Sequence, residues 1–249
     1  MKEFLNSENS LIILYTCKKN YLKKEACKNT WLKKFANKII VTDESKKTPR
    51  QIYINSFGYK NLTSKSIKMW KTIYKKYGKK YKYFIKVDDD TFVIHRHLFS
   101  KNTKIKNGEY FGNSTYWSKK NKKKEFWPAG SFYVLSNLAL SKLVETNSKE
   151  VQKIYKFGPA EDFAIALLLR KKNIKLTNFP GHKIALPFEK IFSIKASIVS
   201  ISNLSWAKIY SLHLIEKISN EFQNIKKLEK YKKIFLFIKN IKEKMVYQT

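Results

Sequence analysis

The stretch YFIKVDDDTFVIHRHL, residues 83–98, is an apolar run that ends in three consecutive carboxylates, Asp88, Asp89 and Asp90. Adjacent acids repel one another and are costly to bury, so they need cations or hydrogen-bond donors nearby. They also form the densest acidic cluster in a chain of 249 residues with a formal net charge of +33. This contrast marks the end of the predicted strand as a candidate functional site.

Segments on the N-terminal side of the triplet alternate between strand-like and helical patterns. Strands are predicted at 10–17, 37–45 and 81–87, and helices at 21–35 and 61–77. This alternation is typical of an α/β, Rossmann-like fold, with an open, mostly parallel sheet flanked by helices. Ligands in such folds bind beyond the carboxyl ends of the strands, which is where the triplet is expected.

The pattern continues after the triplet with less regularity. We predict a short strand at 108–114, a charged loop at 119–125 and a strand within 126–136 that gives way to a helix from about Asn137. Residues 160–174 are predicted to form a buried helix that begins with two carboxylates. We therefore expect one α/β domain at 1–215 and a lysine-rich amphipathic helical tail at 216–249. The tail is expected either to pack on the domain or to lie on an acidic membrane.

The composition fits a folded protein with a sizeable core, since 43% of the residues are hydrophobic and 15% are aromatic. No apolar stretch has the length of a transmembrane helix, and the N-terminus lacks the pattern of a signal peptide. We therefore expect a cytoplasmic or membrane-peripheral protein. Cys17 and Cys27 are expected to be reduced thiols, with a single disulfide between them as the alternative.

The positive charge comes almost entirely from lysine. Of the 52 basic residues only Arg50, Arg96 and Arg170 are arginines. Nucleic-acid recognition usually favours arginine, and abundant Lys, Asn and Ile are typical of AT-rich microbial or viral coding. A basic nucleic-acid-binding protein is the rival hypothesis, but specific binding is not expected. The charge does predict attraction to acidic membranes.

A row of carboxylates at a strand end commonly binds a hard divalent cation, such as Mg²⁺ or Mn²⁺, through oxygen. Such an ion keeps positions open for substrate phosphates and neutralises charge on a leaving diphosphate. The alternative is that the acids cap a turn or offset nearby lysines. The chain has neither GxxxxGK[ST] nor GxGxxG, which disfavours P-loop NTPases and Rossmann dehydrogenases and leaves nucleotide-sugar transfer.

The segment YFIKVDDDTFV resembles the K-x-DDD-x-[FY]-V motif of the β1,3-galactosyltransferase and Fringe-like glycosyltransferases. Five further segments resemble other motifs of that family, in the same order. They are KEACKNTW (24–31), YKNLTSKSIKMW (59–70), FWPAGSFYVLS (126–136), PAEDFAIALLLRKKNI (159–174) and SLHLIE (211–216). The resemblance implies a GT-A fold. It also implies inverting transfer of a hexose or N-acetylhexosamine from a UDP-sugar to a hydroxyl of a glycan, glycoprotein or glycolipid, with a β1,3 linkage.

The resemblance also implies roles for particular residues. Asp88 would contact the nucleotide and the metal, Asp90 and His213 would hold Mn²⁺ or another divalent cation, and Asp162 would be the general base. Glu161 is the second candidate for the base and a candidate substrate-binding residue. Asp162 is expected at a helix N-terminus, where the helix dipole favours its ionised form, although acids there also serve simply as caps.

The remaining candidates surround these acids. The candidates on the nucleotide side are Lys24, Lys28, Lys65, Lys86 and Asp89. Those on the sugar side are Trp127 and Gly130. The alternatives are that the lysines are merely solvated and that the tryptophan belongs to the core. A non-catalytic sugar-binding relative of the same fold also stays open, as do structural roles for His95 and His97 beside the triplet.

Overall fold

The described part of the chain is built around a seven-stranded mixed sheet with helices packed against it. The computed structural model describes residues 3–45, 48–55, 62–100, 104–105, 109–118, 124–155, 160–179, 182–184 and 200–222. Its strands are β1 (Glu3–Phe4), β2 (Ser10–Tyr15), β3 (Lys38–Thr42), β4 (Gln51–Tyr53), β5 (Tyr83–Asp88), β6 (Phe92–Val93), β7 (Lys104–Ile105), β8 (Tyr110–Ser118), β9 (Lys124–Ser136), β10 (Leu176–Asn178), β11 (His182–Ile184) and β12 (Ser200–Ser202). Its helices are α1 (Tyr21–Asn29), α2 (Leu62–Tyr77), α3 (His95–Leu98), α4 (Asn137–Val144), α5 (Ser148–Tyr155), α6 (Glu161–Lys171) and α7 (Trp206–Phe222).

The central sheet has the strand order β10-β8-β9-β5-β2-β3-β4. Strands β5, β2, β3 and β4 run parallel to one another, and β10 runs parallel to β8. Only β9 is antiparallel to both of its neighbours, β5 and β8. The predicted α/β class with a mostly parallel sheet is therefore confirmed, and one antiparallel strand divides that sheet into two parts.

The centre of the sheet forms because its strands are apolar on both faces. Every residue of β2 is buried, and in β5 only the terminal Asp88 is not. Such uninterrupted burial is typical of parallel strands covered on both sides. Helices α2, α4, α5 and α6 contribute to the same hydrophobic core as alternate residues of these strands. Trp70 of α2 is the largest of the fully buried side chains in that cluster.

Two smaller sheets accompany the central one. Strands β11, β12 and β6 form the first, in that order, and β1 pairs with β7 in the second. These strands have only two or three residues each, so the sequence gives no periodic signal for them. Because β6 follows the acidic triplet directly and pairs with β12, the small sheet fixes the chain just beyond the candidate site.

Helix α1 is shorter than its sequence predicts. The predicted helix at 21–35 ends at Asn29, and a separate 3₁₀ turn follows at Leu32–Lys34. The break comes at Thr30, whose backbone leaves the helical region and whose Oγ1 donates to the Ala26 carbonyl at 2.5 Å. Asparagine and threonine are weak helix formers, which explains why the helix ends there.

The chain separates into two units, residues 1–212 and residues 213–249. The first holds the sheets described above. The second is described only within α7, up to Phe222, so most of the predicted tail and residues 119–123 of the predicted loop lie outside the described residues. Among the helices that are described, none is both long and apolar enough to cross a bilayer. Cys17 and Cys27 are both free thiols in this structure.

Candidate functional site

The acidic triplet lies at the carboxyl edge of the parallel strands. Asp88 is the last residue of β5 and pairs with Tyr15, the last residue of β2. The chain then turns, and the amide of Thr91 donates to the Asp88 carbonyl at 3.1 Å. The triplet therefore occupies the edge at which ligands of open α/β sheets bind.

The middle carboxylate, Asp89, is held inside the protein. It is only 5% exposed, and it accepts hydrogen bonds from Thr16 Oγ1 at 2.5 Å and from Asn20 Nδ2 at 3.2 Å. The Cys27 thiol also donates to the Asp89 carbonyl at 3.3 Å. Burial raises the pKa of Asp89, while the two side-chain donors oppose that effect. These contacts tie α1 to the triplet and favour a structural role for Asp89.

The outer carboxylates differ from Asp89 because both are half-buried and keep access to solvent. Asp88 accepts from Lys86 Nζ at 2.7 Å, and Asp90 accepts from Thr91 Oγ1 at 3.3 Å. Burial raises the pKa of Asp88, the Lys86 ammonium opposes that effect, and the negative charges of Glu161 and Asp90 add to it. A divalent cation would relieve this repulsion, so the donor chemistry of Asp88 and Asp90 fits a hard metal ion.

A complete metal site is not formed within the described part of the chain. There, no group of three or more His, Cys, Asp and Glu side chains is arranged to hold a metal. His213, the predicted third ligand, is half-buried in α7 and belongs to the second unit, so its role stays a prediction. His95 lies in α3, where its ring packs against Phe35 at 4.8 Å and Phe99 at 5.2 Å.

A buried lysine links the triplet to the opposite side of the site. Lys86 projects from the middle of β5, its side chain is 1% exposed, and its Nζ lies 2.7 Å from Asp88 Oδ1 and 2.6 Å from Glu161 Oε1. It also donates to the Gly130 carbonyl at 2.6 Å. Burial alone would lower the pKa of Lys86, but the two carboxylates raise it above its usual value. The ammonium therefore stays charged, with all three of its N–H donors engaged.

Glu161, the first residue of α6, is similarly enclosed. Its second oxygen accepts from Ser66 Oγ at 3.0 Å and from the Tyr133 hydroxyl at 3.2 Å. Tyr133 in turn accepts from Trp70 Nε1 at 3.2 Å. Helix α2 and strands β5 and β9 thus all hold the start of α6. This network leaves Glu161 6% exposed, which favours a positioning role over substrate contact.

Asp162 has a different environment from its neighbour. It lies in the first turn of α6, as predicted, and its Oδ1 accepts from the Phe163 amide at 2.8 Å. A Cβ atom added to Gly130 would lie 2.9 Å from Asp162 Oδ2, so a larger residue there would require this carboxylate to shift. Burial and the charge of Glu161 raise its pKa to about 6. The expected effect of the helix dipole is therefore outweighed, although the group is still largely ionised at neutral pH.

Two of the lysines predicted on the nucleotide side, Lys24 and Lys28, each pair with an acid. Lys24 forms an ion pair with Glu44, and Lys28 pairs with Glu25 at 2.8 Å, so each is partly neutralised by a nearby acid. Their predicted contact with the nucleotide stays a prediction.

Trp127 lies in β9, where its backbone is opposite Thr115 of β8, and its predicted stacking on a sugar also stays a prediction.

Lys65, in the first turns of α2, stands out among the buried lysines. It is 5% exposed, donates to the Thr16 carbonyl at 3.2 Å and lies 4.8 Å from the centroid of the Tyr15 ring. Lys86 lies 5.0 Å from the same ring centroid. Within the described residues Lys86 has two carboxylate partners, whereas no carboxylate forms an ion pair with Lys65. Among the described residues, Lys65 therefore adds positive charge that no ion pair offsets at this edge of the sheet.

Sequence patterns alone did not identify the donors that organise the acids, namely Thr16, Asn20, Ser66 and Tyr133. One signal was available at Lys86, which interrupts an otherwise apolar strand. A lysine in the centre of a buried strand requires a carboxylate partner. That rule predicts an acid across from β5, but it does not say which one.

Neither a search against protein-family models nor a search of curated proteins finds a match to this chain.

Proposed function

We propose that this chain is an inverting glycosyltransferase with a GT-A fold. It transfers a hexose or N-acetylhexosamine from a UDP-sugar to an acceptor hydroxyl, forming a β1,3 linkage, as its resemblance to the Fringe-like enzymes implies. The observation that supports this most is the linkage of two different acidic groups through Lys86. One is a pair of half-buried carboxylates at the end of β5, and the other is the start of α6, where Asp162 has a pKa of about 6.

The leaving group would be stabilised on the β5 side. Asp88 and Asp90, with His213 as the third proposed ligand, would hold Mn²⁺ or another divalent cation, which would neutralise charge on the departing diphosphate. Lys65 supports the same role, because a buried ammonium without a carboxylate partner in the described residues attracts phosphate oxygens. Thr16 and Asn20 would keep the middle carboxylate, Asp89, away from the reacting groups.

The acceptor would be activated on the α6 side. Ionised Asp162 would accept the proton of the acceptor hydroxyl while that oxygen attacks the anomeric carbon of the donor. UDP would leave from the opposite face, which inverts the anomeric configuration. A pKa near 6 suits a general base at neutral pH, because the group is ionised yet more basic than an ordinary aspartate. The absence of a side chain at Gly130 leaves room beside the Asp162 carboxylate.

The direct test uses the full chain with UDP-galactose or UDP-N-acetylglucosamine, Mn²⁺ and a panel of mono- and disaccharide acceptors. We expect UDP release coupled to formation of a new glycoside with inverted configuration, and loss of both in EDTA. Transfer that persists in EDTA would contradict the proposal, as would failure to bind or turn over any UDP-sugar. A non-catalytic sugar-binding relative would bind ligand without releasing UDP.

A further inference from the structure

The Lys86–Glu161 ion pair joins the two acidic groups of the site through the protein interior. Both side chains are almost fully enclosed, at 1% and 7% exposure. Neither therefore has the solvent access that a group in contact with a donor or acceptor sugar needs. Buried charges at such positions must be explained by what they hold in place.

From these contacts, and resting on the proposed function, we infer that Lys86 and Glu161 form a positioning pair, which fixes the Asp162 carboxylate against Gly130 and restrains Asp88 at the end of β5. In this role neither residue binds substrate. Lys86 orients the groups on both sides of the reaction, and Glu161 anchors the first turn of the helix that presents the base.

The geometry around Asp162 supports this role. Lys86 donates to the Gly130 carbonyl, and Gly130 is the residue beside which the Asp162 carboxylate lies. The same ammonium also contacts Glu161, which precedes Asp162 in the chain. One charged group therefore restrains both the helix that carries the base and the strand beside it. A movement of Lys86 would alter the direction of the Asp162 side chain.

Strand β5 supplies the other half of the restraint. Lys86 and Asp88 are two residues apart on this strand, and their side chains meet at 2.7 Å. Fixed donors on two further elements complete the arrangement, because Ser66 and Tyr133 hold the second oxygen of Glu161 from α2 and β9. The separation between the metal side and the base side of the site is thereby set by side chains in the core.

A pair that served stability alone would behave differently from a positioning pair. Replacing both members of a buried ion pair by neutral groups often restores the stability that a single replacement removes. Catalysis, by contrast, is sensitive to small displacements of a reacting group, and about 100-fold in rate is lost for a displacement of about 1 Å. Stability and rate can therefore be separated by the double replacement.

The experiment compares Lys86→Met, Glu161→Gln and the double variant with the parent chain. The matched control is Lys172→Met, which removes the 4.0 Å ion pair with Glu150 beyond the C-terminal end of α6. The measurements are the thermal midpoint, kcat and KM for UDP release, and hydrogen exchange at the Ala164 amide. That amide donates to the Ala160 carbonyl at the start of α6.

We expect the double variant to recover much of the thermal stability that Lys86→Met loses. Its kcat should nevertheless be about 100-fold below the parent value, with the donor KM changed by no more than about threefold. Exchange at Ala164 should be faster than in the parent, while the Lys172→Met control should match the parent in every measurement. Recovery of kcat together with stability, or unchanged exchange at Ala164, would overturn the inference.

Hydrogen exchange also separates this inference from the proposed function. If the parent chain turns over no UDP-sugar but the double variant loosens the start of α6, the proposed function fails and the positioning pair stands. If UDP-sugar is turned over and the double variant matches the parent in kcat and exchange, the proposed function stands and the positioning pair fails.

Discussion

The end of β5 and the start of α6 both carry adjacent acidic residues, and in each region these acids differ in burial and in hydrogen bonding. In each region one carboxylate is buried and held by side-chain donors. At the end of β5, Thr16 and Asn20 hold Asp89. At the start of α6, the donors to Glu161 are Lys86, Ser66 and Tyr133. The neighbouring acid, Asp90 or Asp162, has fewer partners among the described residues.

The difference shows that adjacency in sequence does not make acids equivalent. The restrained carboxylate is tied to neighbouring elements, and under the proposed function its neighbour takes part in the chemistry. The two regions also differ from each other in electrostatics. At β5 the charges of the outer acids repel one another and favour a cation, whereas at α6 burial makes Asp162 more basic. The end of β5 therefore suits binding of a metal ion, and the start of α6 suits acceptance of a proton.

The largest effect is expected from Asp162→Asn, which removes the proposed base without a large change in volume. We expect kcat to fall about 1,000-fold, because a general base contributes about 100- to 10,000-fold in rate. The measurement is UDP release with a saturating donor, and the control is Glu145→Gln at an exposed position of comparable chemistry. An Asp162→Asn variant as active as the parent would remove Asp162 from the mechanism.

Substitution of Glu161 should affect stability more than substitution of Asp162, which reverses the order expected for their effects on activity. Glu161→Ala is expected to lower the free energy of unfolding by about 3 kcal/mol, because it leaves the buried Lys86 with fewer partners. Asp162→Ala is not expected to lower it, since a carboxylate whose pKa is raised on folding is less stable in its ionised form in the folded state. Urea unfolding of both variants checks this contrast, and equal losses would show that the two acids do not differ in role.

The same contrast applies within the triplet. Asp90→Asn is expected to raise the Mn²⁺ concentration needed for half-maximal activity by about 10- to 100-fold, because it removes a proposed ligand. Asp89→Asn should leave that concentration within about threefold but lower the free energy of unfolding by about 1–3 kcal/mol, since the new amide nitrogen cannot accept one of the two buried hydrogen bonds. Manganese titrations and urea unfolding measure the two effects. If Asp89→Asn weakens metal activation more, the proposed division of roles is wrong.

Much of the fold was predictable because its central elements have strong periodic patterns. The buried strands β2 and β5 and the helices α2 and α6 follow from apolar runs and helical spacing alone. The antiparallel direction of β9 was not predictable, because strand pairing joins residues that are distant in sequence. Helix α5, the two small sheets and strands β4 and β10 were also missed.

The candidate site was predictable in position more than in detail. The end of β5 and the first turn of α6 were located from sequence, since each follows from its own element. The contact between Lys86 and Glu161 joins residues 75 positions apart and has no local signal. The pairing of Lys28 with Glu25, by contrast, has a local signal, because the two residues are three positions apart on a predicted helix. That spacing favours an ion pair with Glu25 over contact between Lys28 and a phosphate.

The central claim is that Asp162 acts as the base from a half-buried position with a raised pKa. It is tested most directly by the pH dependence of kcat/KM for the acceptor, measured at saturating UDP-sugar and Mn²⁺. The base works only when ionised, so activity should be full above its pKa and fall as the pH drops through about 6, by about tenfold per pH unit. An activity that stays level down to pH of about 4.5 would contradict the account, because an aspartate with that pKa would already be protonated.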